Sequence, residues 1–352
     1  MRQKKMKQKF VIFLLFVIGI FLSGLTLSGK FLTIEKRFGK NNLYTPENIV
    51  VSNNKIFILD DIGSSSYGDE KIKIFSEDGK FLHQFGEKGE GPGSFIQAAF
   101  IIILNKKLYL LDNFGLKIQV FSEEIPNKHL KTIRLGSTNV MFSSPHDFLI
   151  LSNGTIYLNS CMGLKGDMII KKMLPHDEKQ FKVEKQFLDC IPLYDDMKDF
   201  NKQANKAQTP EITRNRFLNV GRMAENNKKI YYVSYLLNTV FEMSLDGDLL
   251  NKYTLPIKSI DKTVSVIKIR DSLNIERRLN YGIIGRNGRL YVLSRDEAGN
   301  SIVFELLNGK FSEKCRVKEP LFNFDISGNK LYGITQEDEN VEPEILIYRL
   351  DK

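Results

Sequence analysis

From residue 45 to its end the chain repeats one hydrophobic-polar pattern six times: a turn of Asn, Gly, Lys or Arg, an aliphatic residue, an aromatic, two further residues and a small polar one. The copies read NNKIFILDD (53–61), NKKLYLLDN (105–113), SNGTIYLNS (152–160), NKKIYYVSY (227–235), RNGRLYVLS (286–294) and SGNKLYGIT (327–335). Phe57, Tyr109, Tyr157, Tyr231, Tyr291 and Tyr332 are the aromatic anchors, and three residues beyond them stand Asp60, Asp112, Ser160, Ser234, Ser294 and Thr335. A second short run follows each copy, such as KIQVFSEE or TVFEMSLDGD; most then show a turn and a third run, such as KFLHQFG (80–86) or HLKTIRLG (129–136). An apolar run such as ENIVV, FIIIL, DFLIL or FNFDI precedes the anchored segment. Short β-branched and aromatic runs bounded by Gly, Asn and Asp read as strands. Four such strands per unit describe a propeller blade, and six units describe six blades.

The last unit stops one strand short, after EILIYRLDK, while FLTIEKRFG (31–39) is a strand with no unit of its own. The N-terminal strand is therefore expected to complete the last blade and close the ring, which removes exposed sheet edges. The predicted fold is all-β: a six-bladed β-propeller over residues 31–352, preceded by an N-terminal hydrophobic helix. The anchors are most widely spaced after units three and four, which places insertions at 190–216 and 258–280. Neither insertion reads as a cleanly alternating strand, and NIERRLN (274–280) reads as a short helix.

Residues 10–27 carry no charge and follow Arg2, Lys4, Lys5, Lys7 and Lys9; the first acidic residue is Glu35. A basic flank before an apolar stretch fits a cleaved secretory signal over residues 1–28, and also an uncleaved anchor just long enough to cross a bilayer. In both readings the basic flank stays cytoplasmic and the propeller is displayed in the cell envelope, periplasmic or extracellular, secreted or anchored. If the segment is uncleaved, the membrane is contacted through residues 10–27. This flank supplies more than half of the net charge of +9. The remainder mixes signs and is not a phosphate-tracking surface, so nucleic acid is set aside as a partner. Cys161, Cys190 and Cys315 form no CxxC pair and do not suggest a structural zinc site. They read as small half-buried hydrophobes, although an exported compartment also allows one disulfide.

The stretch FGEKGEGPGSF…LYLLDNFGLKIQVF (85–121) resembles an NHL repeat in Gly89, Gly91, Pro92, Gly93 and Phe95, then Tyr109, Asp112, Ile118, Gln119, Val120 and Phe121. Over residues 31–352 the chain is similar in architecture to the six-bladed propellers that bacteria export. The motif is sharp in units one and two. Unit three departs, with Asn159-Ser160 where the motif has Asp, and so does unit six, with Gly333-Ile334-Thr335.

The GEGPG loop (89–93) lacks the Gly-Lys-Ser/Thr ending of a phosphate cradle and is followed by a strand, so it reads as a tight crossing between blades. His83, His129, His146 and His176 show no metal or nucleophile-activating spacing. Asp60 and Asp112 occupy equivalent strand ends, where an Asp commonly accepts backbone N–H groups. Lactonases of the gluconolactonase class, also six-bladed, hold a divalent cation through Glu, Asp and Asn, and by that resemblance Asp60, Asp112 and Asn159 are the candidate metal ligands. Otherwise no cofactor is implied. The insertions, the GEGPG loop and the polar strand ends all fall on one face, where long loops on a rigid scaffold carry function. The candidate ligand-binding residues are Asp60, Asp112, Asn159, Ser234 and Arg295 at strand ends, with Tyr194, Arg214 and Arg277 from the insertions. The expected function is a scaffold that binds a protein, glycan or small molecule through this face; the alternative is a divalent-cation-dependent hydrolase, lactonase or lyase with its site at the channel mouth.

Overall fold

The computed structural model describes residues 31–60, 71–135, 145–161, 163–175, 181–196, 198–199, 217–257, 266–269, 272–275, 278–335 and 342–350. Six four-stranded antiparallel sheets form the blades. From channel to rim, blade one is Pro46–Ser52, Lys55–Asp60, Ile72–Ser76 and Phe81–Phe85, and blade two is Ala98–Leu104, Lys107–Asp112, Lys117–Ser122 and His129–Arg134. Blade three is Asp147–Ile150, Ile156–Asn159, Met168–Pro175 and Phe181–Asp189, and blade four is Gly221–Asn226, Lys229–Ser234, Thr239–Ser244 and Leu249–Thr254. Blade five is Asn280–Arg286, Arg289–Arg295, Ser301–Leu307 and Lys310–Val317. Blade six takes three strands from the C-terminus, Leu321–Ser327, Lys330–Thr335 and Ile345–Arg349, and its outer strand from the N-terminus, Ile34–Phe38.

Local sequence explains the inner hairpins. Asn53-Asn54, Asn105-Lys106, Asn227-Lys228 and Asn287-Gly288 all adopt positive φ at both central positions. This is the backbone of a type I′ turn, whose twist matches that of the strands it joins. Between their polar ends the second strands are apolar on both faces, because a blade is covered on both sides. Leu108, Leu110 and Leu111 of blade two, for example, are fully buried.

The core lies between blades. One apolar cluster fills each of the six interfaces; the one joining blade six to blade one combines Tyr332, Ile334, Ile345 and Ile347 with Leu43, Ile49, Val51, Ile56, Ile58 and Phe75. The N-terminal strand pairs antiparallel with Ile345–Arg349, as ring closure requires. Between blades four and five the inner strands approach so closely that a Cβ on Gly285 would lie 2.0 Å from the Glu225 carbonyl, so only glycine fits there.

Two details differ from the sequence reading. The second insertion contains a hairpin, Val266–Ile269 with Ser272–Ile275. Its Ile267-Lys268-Ile269 and Leu273-Asn274-Ile275 alternate with period two, which favours a strand over the helix expected for 274–280. In blade three the second strand ends at Asn159, opposite Asp147, and Ser160 lies just beyond it. The N-terminal apolar segment and the helix expected there lie outside the described residues; among the described residues no helix is long and apolar enough to cross a membrane.

Candidate functional site at the channel mouth

The loops from second to third strand, and those from each outer strand to the next blade, share one face. The polar strand ends lie beneath it and are buried. Asp60 accepts the backbone N–H groups of Tyr44 (3.0 Å) and Thr45 (2.7 Å) and pairs with Lys73 at 2.6 Å. Asp112 accepts Ile96 N–H (2.9 Å), Gln97 N–H (3.0 Å) and Gly115 N–H (3.0 Å), with Lys117 at 3.6 Å. Both carboxylates therefore hold the loop that enters their own blade. Asn159 ties blade three to blade four, donating to Asn219 O (3.2 Å) and accepting Gly221 N–H (3.2 Å). Ser234 is fully buried and accepts Leu236 N–H at 3.2 Å. The side-chain oxygens of Asp60, Asp112 and Asn159 are thus engaged in holding the incoming loops and the neighbouring blade.

The GEGPG loop offers carbonyls rather than N–H groups: Glu90 O accepts Lys117 Nζ at 2.9 Å, and Gly91 O accepts Gln119 Nε2 at 3.1 Å. That polarity is the reverse of a phosphate cradle. Tyr194 is stitched to the turn of blade three, its N–H reaching Gly163 O at 3.0 Å and its carbonyl accepting Lys165 N–H at 2.9 Å. Arg214 and Arg277 lie outside the described residues.

Six register-equivalent residues of the inner strands form a layer around the channel: Asn48, Phe100, Asp147, Arg222, Gly282 and Asn323, opposite Leu59, Leu111, Asn159, Val233, Leu293 and Ile334. Polar members tie each blade to the next. Asn48 Oδ1 accepts Ile101 N–H at 3.1 Å, Asp147 Oδ2 accepts Met223 N–H at 2.6 Å, and Asn323 Nδ2 donates to Glu47 O at 3.2 Å. Arg222 reaches back across blade three, stacks 4.5 Å from the Phe100 ring centroid and lies 3.9 Å from Asp147 Oδ1. Neither that oxygen nor Arg222 Nε has a hydrogen-bond partner among the described residues.

Both insertions rejoin the propeller at this mouth. The second returns through Leu279 and Asn280, whose N–H groups donate to Tyr235 O at 2.7 and 3.1 Å, while Asn280 Nδ2 donates to Ser234 O (2.7 Å) and Leu237 O (2.6 Å). This anchorage lays the Arg278 guanidinium over Tyr235 at 4.4 Å, with Phe322 at 5.1 Å and Phe217 at 6.0 Å. Phe217, at the return of the first insertion, packs with Val220, Tyr235 and Leu236. Arg222 shares the Tyr235 ring at 5.7 Å. Arg295, a residue singled out in the sequence, joins the cluster by stacking on Tyr281 at 4.1 Å and donating to Leu321 O at 3.1 Å. Arginine on aromatic faces in a partly dehydrated mouth is a setting for binding anions. Sequence reading missed Phe100, Asp147, Arg222 and Tyr235. The available signal was a lone Asp or Arg inside an inner strand whose equivalents in other units are uncharged.

Burial pushes the Asp147 carboxyl up to about 7, against the opposing pull of Arg222 and the Met223 and Phe148 N–H groups. A carboxyl whose folded pKa is raised favours folding fully below its unfolded value, and that contribution is lost as pH rises through about 7. Acidification from about pH 8 to about pH 5 is therefore expected to raise stability through this group by a few kcal/mol. Urea unfolding of the Asp147→Asn variant at both pH values should show that increment removed; an unchanged increment would assign it to other groups.

Residues 39–280 match the model of a family, DUF5128, described as a 6-bladed beta-propeller. A search of curated proteins finds no match. Among solved structures, a DUF4221 family member from Bacteroides vulgatus is similar at 11% identity and TM-score 0.54, over 91% of this chain and 97% of that one. A protein of unknown function from Bacteroides thetaiotaomicron is similar at 11% identity and TM-score 0.52, over 87% and 70%. Virginiamycin B lyase from Staphylococcus aureus shows 13% identity and TM-score 0.48, over 90% and 99%.

Proposed function

The chain belongs to this family of six-bladed β-propellers, and we propose that it is a non-catalytic binding scaffold, displayed outside the cytoplasm, whose channel mouth holds a carboxylate-bearing partner. One observation carries the reading: both insertions return to Tyr235, and there Arg278 stands on an aromatic platform with no carboxylate partner among the described residues. A guanidinium offers a planar fork that matches a carboxylate, and the aromatic rings bury the apolar part of a ligand. The cation-dependent hydrolase alternative lacks a comparable observation, since the carboxylates proposed for it already hold backbone N–H groups.

Binding of the purified protein to oligogalacturonate, a poly-glutamate peptide and a neutral galactan oligosaccharide, measured by calorimetry, tests the reading. A carboxylate probe is expected to bind, the neutral sugar is not, and Arg278→Ala is expected to weaken binding by roughly tenfold or more, as loss of a charged hydrogen-bonding group does. Equal binding of the neutral sugar, or no effect of Arg278→Ala, would remove the site from the mouth. Export rests on the basic and apolar N-terminus. Residues 1–40 fused to an enzyme active only outside the cytoplasm should produce activity, and silence of that fusion would place the propeller inside the cell.

A further inference from the structure

Blade three carries a second constellation on the loop face. Cys161 follows its second strand, Asp167 precedes its third, and Cys190 follows its outer strand. The topology thus brings three residues spread over 30 positions to one spot, and the two sulfurs and a carboxylate oxygen all lie within 4.8 Å of one another. It is the one such convergence of His, Cys, Asp and Glu among the described residues. We propose that Cys161, Asp167 and Cys190 bind a zinc ion, leaving one tetrahedral position to water.

The backbone around the site is preorganised. Cys190 N–H donates to Asp167 O at 3.1 Å, and Leu193 and Tyr194 N–H groups donate to Gly163 O at 2.7 and 3.0 Å, so the two loop segments are stitched together. Gly163 N–H donates to Cys161 Sγ at 3.2 Å, the kind of bond that stabilises a thiolate ligand. Asp167 Oδ1 accepts Met168 N–H at 2.8 Å and faces Lys171 Nζ at 3.4 Å, which orients the carboxylate. Zinc–sulfur bonds of about 2.3 Å require only small side-chain rotations to close this triangle.

Charge supports the assignment. On binding, the two thiols release their protons to solvent, so two thiolates, one carboxylate and Zn²⁺ sum to one negative charge. The Lys171 side chain, only 2% exposed, supplies the balancing positive charge. Without metal, neutral thiols and the Asp167–Lys171 pair are also balanced, so the apo site can fold. A disulfide would use the two sulfurs alone, whereas a metal ion also engages the carboxylate at their side. Cysteine spacing alone conceals the site, because its two cysteines stand 29 positions apart.

The test is Co²⁺ titration of the full-length protein, reduced and freed of metal, with Zn²⁺ displacement. One equivalent should bind with a thiolate-to-cobalt charge-transfer absorption and the visible bands of tetrahedral cobalt, and Zn²⁺ should erase both. Cys190→Ser and Asp167→Asn should abolish or distort these bands, and Lys171→Met should weaken affinity by roughly tenfold or more. Cys315→Ser, which alters a buried residue of blade five, should leave them unchanged. Independently of any variant, Zn²⁺ should protect Cys161 and Cys190 of the wild-type protein from alkylation. Absence of stoichiometric uptake, cobalt bound without a charge-transfer band, or a site left intact by Cys190→Ser would overturn the proposal, and so would a Cys161–Cys190 disulfide whose reduction restores no metal binding.

Discussion

Removing residues 31–39 is expected to cost the protein a large part of its stability, about 5 kcal/mol or more of the roughly 5–15 that a domain commands. The deleted strand pairs with Ile345, Leu346, Ile347 and Tyr348, which are at most 2% exposed in the intact ring. It also takes away Phe38, which packs against Phe75 at a centroid distance of 5.7 Å, and Leu32 and Ile34, which pack on the interface between blades five and six. Leu32 N–H further donates to Arg316 O at 2.8 Å, so the segment also ties blade five to the closing blade. What remains is an open apolar edge, a template for pairing with another chain. Urea unfolding and size-exclusion chromatography should therefore show both a lowered midpoint and association. A truncated protein that unfolds like the intact one and stays monomeric would show that the ring does not depend on its N-terminal strand.

The second large effect is expected at Asp325, in the inner strand of blade six. Its carboxylate accepts Val51 N–H of blade one at 2.8 Å, Ile326 N–H at 2.7 Å, and a two-pronged bond from Arg286 of blade five at 2.9 and 2.6 Å. One buried side chain thus joins three blades at the seam where the ring closes. Asp325→Ala would leave a buried N–H unsatisfied and a guanidinium without its partner, a loss of about 3–5 kcal/mol. Its charge holds the Arg286 guanidinium above its ordinary value. By contrast, Arg349→Ala breaks a pair with Glu35 in which the arginine side chain is 63% exposed, and should cost less than about 1 kcal/mol. Equal effects from the two substitutions, measured by urea unfolding, would contradict a seam held by Asp325.

What the sequence reveals follows from physical scale. Strand order, blade number and closure are legible because each depends on local signals that recur: turn residues that accept positive φ, two-sided apolar strands, and one orphan strand matching one missing strand. Asp60 and Asp112 stand out for the same reason, since each repeats a position within its unit. Their task, holding the incoming loop at Tyr44 and Thr45 or at Ile96 and Gln97, is structural and recurrent. The residues at the channel mouth do not recur. Arg222 stands where blade two has Phe100 and blade five has Gly282, and its meaning depends on a neighbour two blades away. Nor does position in the chain reveal that Phe217 and Arg278 share the Tyr235 ring, because that meeting is made by the return paths of two insertions. Repetition encodes the scaffold; the departures from repetition mark the candidate site.

The central claim, that the mouth where the two insertions return is the binding site, is tested most directly by hydrogen exchange of the purified protein with and without saturating oligogalacturonate. Slowed exchange concentrated in residues 217–222, 235–238 and 278–282 is the expected result. Bound probe with those segments unchanged and another face protected would contradict it.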